Sequence, residues 1–139
     1  MDEMLLKARA LAEKAHAGQI DKAGQPYYLH PFAVSDSCTS VYAKAAALLH
    51  DVLEDTNITE RQLRGLFPGN VVDAVVLLTH DPSENYYDYV YRVKQNPIAR
   101  EVKTADLMQN GNLTRLKTVT LKDAIRAEKY AKALQILLS

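Results

Sequence analysis

The stretch VYAKAAALLHDVL, from Val41 to Leu53, does most to limit the folds open to this chain. Alanine and leucine dominate it, so it predicts a buried central helix and not a strand. A helix apolar on every side has to be enclosed by neighbours. The flanking sequence supplies them. Met4, Leu5, Ala8, Leu11, Ala12 and Ala15 recur at helical spacing between Asp2 and His16, with Lys7, Glu13 and Lys14 mostly on other faces. Gly18 ends that segment and opens a polar loop to Pro26. Pro31 fits the first turn of a second helix that runs to about Cys38.

Beyond the central stretch, Asn57-Ile58-Thr59 breaks the helix, and Thr59 can cap a short one ending at Phe67-Pro68-Gly69. Asn70 can cap the next segment, where Val71, Val72, Val75, Val76 and Leu78 resemble a strand in composition. Their spacing and their helical neighbours predict a helix. Asp81-Pro82-Ser83 marks a turn, with Ser83 capping a tyrosine-rich helix through Gln95. Asn96-Pro97 reads as cap and first residue of a helix to about Asn110, stopped by Gly111. Thr120 opens the last helix, whose expected apolar face is Ala124, Ala127, Ala131, Leu134 and Leu138. No repeat, linker or strand stands out. The expectation is an all-α bundle of about seven or eight helices, forming a single domain over residues 1–139.

A chain of 139 residues can bury a real core without disulfide staples. Lys plus Arg and Asp plus Glu number 17 each, so no net basic field points to a nucleic-acid partner. The one cysteine, Cys38, cannot form an internal disulfide, which fits a reducing compartment and a small buried side chain. No apolar run approaches the roughly 18 residues that cross a bilayer, so no membrane partner is expected. The acidic start Met1-Asp2-Glu3 is unlike a signal segment. A cytoplasmic protein acting on a small molecule is the expectation. The tyrosine-rich helix and the terminal LQILLS could supply an interface for a homo-oligomer.

Several polar residues sit where a core-building sequence would avoid them. His50 and Asp51 close the apolar central stretch, where an imidazole and a carboxylate are costly to bury without a partner. A divalent metal removes that cost, and His plus Asp is a mixed set suited to Mn²⁺, Fe²⁺ or Zn²⁺. The plainer reading is a helix-terminal histidine bonded to an exposed aspartate. His30 precedes Pro31 in PYYLHP, which also describes an ordinary turn residue. Asp106 lies in VKTADLMQN on a mostly apolar helix, where it is either partnered or exposed. Together these four would form a site with open positions for water and a phosphate oxygen.

Glu54 lies four residues after His50, hence on the same face of a continuous helix, where it could orient or deprotonate a water. Glu54-Asp55 reads equally as helix termination. His16 and His80 both end helices, where a cation is favourable, and need no further role. The tyrosines at 86, 87, 89 and 91 fit packing with wet hydroxyls better than a base-stacking platform.

The run AHAGQIDKAGQPYYLHP, then AALLHDVLEDT, then VKTADLMQN resembles the hydrolase domain of RelA/SpoT-type enzymes, and most closely the small alarmone hydrolases. The resemblance spans roughly residues 8 to 116, in order and at family-like separations. It implies an HD-type phosphohydrolase in which His30, His50, Asp51 and Asp106 hold the metal, usually Mn²⁺. It implies further that Glu54 and Asp55 are the acidic catalytic pair. The reaction implied is attack of water on the 3′-pyrophosphate of (p)ppGpp, releasing pyrophosphate. Asn110 and Lys22 match substrate-contacting positions. Two departures mark this chain. Asp21 stands where the family has a guanine-stacking Arg, and ADLMQN replaces the pattern ADRxHN, so its Arg and His become Leu107 and Gln109. Three readings are open: an alarmone 3′-pyrophosphohydrolase, an HD phosphohydrolase on another nucleotide or phosphate ester, or a non-catalytic nucleotide-binding module.

Overall fold

The computed structural model describes residues 2–110 and 118–139. Within them the chain is helical apart from turns and one β-bridge between Ile20 and Pro26. The helices are α1 (Glu3–Ala15), α2 (Leu29–Ser37), α3 (Val41–Leu49), α4 (Val52–Asp55), α5 (Glu60–Leu66), α6 (Gly69–Leu78), α7 (Tyr86–Lys94), α8 (Pro97–Asn110) and α9 (Leu121–Leu138). The all-α expectation holds. The described helices exceed the expected count because the central apolar stretch divides into α3 and the single turn α4.

Side-chain caps set most of the boundaries. Asp2 accepts from the Met4 N–H at the start of α1, and Ser40 accepts from the Ala43 N–H at the start of α3. Thr59 and Gln62 form a reciprocal capping box on α5, as do Thr120 and Asp123 on α9. Asn96 caps the segment begun by Pro97, accepting from the Ala99 N–H at 3.0 Å. Two expected caps move. Asn85, not Ser83, caps α7, taking the Tyr87 and Asp88 N–H groups, while Ser83 donates back to Asp81 within the turn. Asn70 lies inside α6, which begins after Pro68. The Gly111 stop lies outside the described residues.

α3 is the hub. It packs against α1, α2, α6 and α8, while α9 covers α7 and α8 and α5 rests on α6. Ala45, Ala46, Ala47, Leu48 and Leu49 are buried in succession, so every face of α3 is enclosed. Burying a side chain such as Leu49 contributes about 1.5–3 kcal/mol. Cys38 is buried at the end of α2, and burial pushes its thiol pKa up to about 11. Among the described residues no helix is long and apolar enough to cross a membrane.

Two expectations about faces are corrected. The central helix stops at Leu49 because the His50 Nδ1–H donates to the Ala47 carbonyl at 2.5 Å. That carbonyl is the acceptor a continuing helix would offer to Asp51. Glu54 is therefore not one turn above His50 on a single helix. On α9 the inward residues are Asp123, Ala133 and Leu137, with Tyr130 and Leu134 half-buried, while Ala124, Ala131 and Leu138 face outward. The capping box that buries Asp123 sets the rotation of that helix.

Candidate metal centre

Three elements bring their polar residues to one point. His30 comes from the first turn of α2, His50 from the end of α3, and Asp106 from the middle of α8; all three are buried. Their ligand atoms lie within 4.8 Å of one another. His30 Nε2 is 2.7 Å from Asp106 Oδ1, and His50 Nε2 is 3.4 Å from the same oxygen. Asp51, in the bend between α3 and α4, places Oδ2 at 3.1 Å from His50 Nε2 but stands outside the mutual three-residue grouping.

Because Nδ1 of His50 is committed to Ala47, its Nε2 is the atom turned to the cluster. It is buried yet makes a well-aligned hydrogen bond with neither carboxylate. Burial works against a charged imidazole, and Asp51 and Asp106 outweigh it, holding the His50 pKa well above its usual value. Burial alone would raise Asp106, but Lys103 and His50 hold it well below the usual carboxylate range. Two carboxylates thus concentrate negative potential on an imidazole nitrogen that makes no well-aligned hydrogen bond among the described residues. A set of imidazole nitrogens and carboxylate oxygens with this charge fits a divalent transition-metal cation.

Glu54 and Asp55 stand at the exposed rim. Glu54 Oε1 accepts from the His80 backbone N–H at 2.5 Å, which ties α4 to the end of α6. Burial of part of its surface raises the Glu54 pKa; burial, then the charge of Asp51, raises Asp55. Asn110 donates Nδ2–H to Asp106 Oδ1 at 3.0 Å. Lys22 is 59% exposed and lies 3.7 Å from Asp123 at the start of α9. Its loop is shaped by Gly18 and Gly24, both at positive φ, and by Asp21, whose Oδ1 accepts the Ala23 and Gln25 N–H groups at 2.9 and 3.0 Å.

Three neighbours carry no role in the sequence reading. The Tyr27 hydroxyl donates to Asp51 Oδ2, and burial followed by the charge of Asp51 keeps that phenol protonated. Tyr27 lies three residues before His30, a spacing that could have flagged it. The Lys103 ammonium sits 3.1 Å from Asp106 Oδ2, again three residues away. His16, expected as an ordinary helix-end cation, is fully buried. Its Nδ1 faces Gln19 Oε1 at 3.0 Å, and Gln19 in turn donates to the Asp55 carbonyl. A groove of about 990 Å³ runs along another face of α8, past Arg100, Thr104 and Met108, and includes none of the clustered residues.

No protein-family profile matches the chain. Individual proteins do. The guanosine-3′,5′-bis(diphosphate) 3′-pyrophosphohydrolase of Haemophilus influenzae is 44% identical over 69 residues, covering 47% of this chain and 10% of that protein. The GTP pyrophosphokinase of Myxococcus xanthus is 30% identical over 151 residues, covering 96% of this chain and 19% of that protein. The bifunctional (p)ppGpp synthase/hydrolase SpoT of Escherichia coli is 40% identical over 77 residues, 51% of this chain and 11% of that protein. The chain therefore spans between a tenth and a fifth of the length of these curated relatives. Among solved structures, a metazoan ortholog of SpoT that hydrolyses ppGpp superposes with a TM-score of 0.79 at 25% identity, covering 99% of this chain and 86% of that one. In sequence the chain is similar to a part of these RelA/SpoT-type enzymes, and it shares its all-helical fold with the metazoan SpoT ortholog.

Proposed function

We propose that this chain is a metal-dependent phosphohydrolase that removes pyrophosphate from the 3′ position of (p)ppGpp. The observation that carries the reading is the buried cluster of His30, His50 and Asp106, with Asp51 beside it and His50 Nε2 facing two carboxylates without a well-aligned hydrogen bond among the described residues. It stands in a sequence similar to proteins named for this activity. His30, His50, Asp51 and Asp106 would hold the cation, and Mn²⁺ suits their donors. When bound, such an ion polarises a phosphate oxygen and makes a nearby water more acidic.

The chain's own groups do the rest. Asp51 is kept in place by the Tyr27 hydroxyl, and Asp106 by Lys103 and Asn110. Glu54, anchored through one oxygen on the His80 N–H, keeps its other oxygen for the attacking water. Its raised pKa makes it a better proton acceptor than an ordinary surface carboxylate. Asp55 assists from the same rim. Attack at phosphorus breaks the bond to the 3′ oxygen, which takes up the proton that Glu54 removed from the water and leaves as the free hydroxyl. Lys22 and Asn110 are the substrate-contacting groups in this reading. Residues 1–139 act as one domain on a small-molecule nucleotide in the cytoplasm, with no nucleic acid or membrane involved.

One observation favours a second reading, hydrolysis of another nucleotide or phosphate ester. Asp21, whose Oδ1 accepts the Ala23 and Gln25 N–H groups, stands where the family pattern has a guanine-stacking Arg, so that contact to the base is not supplied here.

The deciding experiment is pyrophosphate release from ppGpp with and without Mn²⁺, using GTP and a generic phosphodiester as controls. Mn²⁺-dependent release from ppGpp alone is expected; metal binding without release moves the assignment to another substrate. For Glu54→Ala, turnover should fall by about 10²–10⁴ with cation binding retained. Loss of the cation in that variant would make Glu54 a ligand instead of a base.

A further inference from the structure

Lys103 lies on α8 three residues before Asp106 and seven before Asn110, so the three lie along one stripe that runs from the buried Asp106 out to the exposed Asn110. Its side chain is 14% exposed, with Nζ 3.1 Å from Asp106 Oδ2 and 5.3 Å from the centre of the Tyr89 ring. Enclosing an ammonium is costly, and an apolar side chain of similar length would fill the same space without that cost. The charge therefore matters for what it does to Asp106. That carboxylate is divided between two environments. Oδ2 faces Lys103, while Oδ1 faces His30 Nε2 at 2.7 Å, Asn110 Nδ2 at 3.0 Å and His50 Nε2 at 3.4 Å.

We propose that Lys103 is a positioning residue that occupies one oxygen of Asp106, so that the centre is offered a single oxygen from this carboxylate and discriminates against Ca²⁺. The proposal rests on the metal-centre reading above. Calcium takes about six to eight oxygen ligands and often chelates both oxygens of a carboxylate. Two imidazoles and a one-oxygen aspartate suit a smaller ion of the Mn²⁺ or Zn²⁺ kind. Removing the ammonium frees Oδ2 and takes away a positive charge. The freed oxygen favours an ion that wants two oxygens over one that wants mixed donors, while the lost charge helps both divalent ions alike.

The test is calorimetric binding of Mn²⁺ and Ca²⁺ to metal-stripped wild type, Lys103→Met and Lys103→Arg. The methionine variant should shift the ratio of the two Kd values towards Ca²⁺ by about tenfold or more. The arginine variant, which keeps a cation on Oδ2, should keep the wild-type ratio. A lysine of merely structural value would lower the melting temperature of Lys103→Met and leave the ratio unchanged, which overturns the proposal. A second measurement needs no variant: a crystal structure of the wild type with Mn²⁺ should show Asp106 coordinating through Oδ1 alone, with Lys103 still on Oδ2. A chelating Asp106 overturns the proposal. Wild type that binds neither ion overturns the metal-centre reading and this inference together, whereas Mn²⁺ binding with an unmoved ratio overturns only the role of Lys103.

Discussion

His50-Asp51 comes after α3 and His80-Asp81 after the last turn of α6, and both helices are apolar and deeply buried. The same dipeptide at the end of the same kind of helix meets two fates. After Asp51 the chain continues into Val52, which is fully buried, so the pair is pinned inside the molecule. After Asp81 comes Pro82, and the chain turns out to the surface. The polar atoms of the second pair are satisfied close by: His80 Nε2 by the Glu84 carbonyl at 2.9 Å, Asp81 Oδ1 by the N–H and hydroxyl of Ser83 at 2.9 and 2.8 Å. The first pair is met by Tyr27 and Asp106 from distant parts of the sequence, and His50 Nε2 is met by no well-aligned bond. Local satisfaction marks a turn; long-range convergence of buried polar groups marks a candidate site. The two pairs also cooperate, since the His80 N–H anchors Glu54.

The sharpest way to break this distinction is to truncate both histidines. His50→Ala should lower cation affinity by about 100-fold or more. It should also destabilise the metal-free protein by about 3–5 kcal/mol, because Asp51 and Asp106 then share a buried space with one fewer positive partner. His80→Ala should retain cation binding and cost only about 1–2 kcal/mol, for one hydrogen bond and its ring contacts with Tyr86 and Tyr89. Titration calorimetry on both variants checks this. Loss of binding in His80→Ala would mean that the two dipeptides serve one site.

This contrast also explains what sequence could and could not reveal. His50 and Asp106 are legible because each is a polar residue in a segment whose neighbours demand burial. His30, alone before Pro31, reads equally as a turn residue and gains weight only beside them and from the resemblance of PYYLHP. The helix caps at Thr59, Asn96 and Thr120 are legible because their chemistry is local. The break between α3 and α4 is not, because it depends on the His50 ring taking the Ala47 carbonyl, which a pattern of apolar residues does not encode. The face of α9 is illegible for a related reason. Its sequence offers apolar residues on two sides, and the rotation is settled by the buried Asp123 cap and by Tyr130 turning inward. Tyr27 and Lys103 stay hidden because only their spacing from His30 and Asp106 points to them.

A finer comparison separates packing from site geometry. Leu49 and Leu78 end α3 and α6, and both are buried. Leu49→Ala and Leu78→Ala should each cost about 2–5 kcal/mol in urea unfolding, since the cavity penalty is set by the atoms around the lost side chain and not by the dipeptide beyond it. Cation affinity should fall only for Leu49→Ala, whose side chain precedes His50. Unchanged affinity there would show that Tyr27, Lys103 and the Ala47 carbonyl hold the ligands without help from the core.

The smallest effects belong to two tyrosines, one beside each dipeptide. Tyr27 donates to Asp51 Oδ2, and Tyr89 donates to the Leu78 carbonyl at 2.5 Å while its ring packs against His80. Each loses one hydroxyl in Tyr27→Phe and Tyr89→Phe, so each should lose about 1 kcal/mol of stability. The consequences for the centre should differ. Without the Tyr27 hydroxyl, Asp51 can rotate away from His50, and cation affinity should drop by about tenfold. In Tyr89→Phe the ring remains beside Lys103 and nothing touching His30, His50, Asp51 or Asp106 directly is removed, so affinity should hold. Equal losses of affinity would show that the hydrogen bond closing α6 reaches the centre through Glu54 and Lys103, and the two ends of the molecule would then have to be treated as one mechanical unit. A loss confined to Tyr27→Phe keeps their side chains apart: one dipeptide is reached by distant residues, while the other is satisfied in its own turn and touches the rim only through its backbone N–H on Glu54.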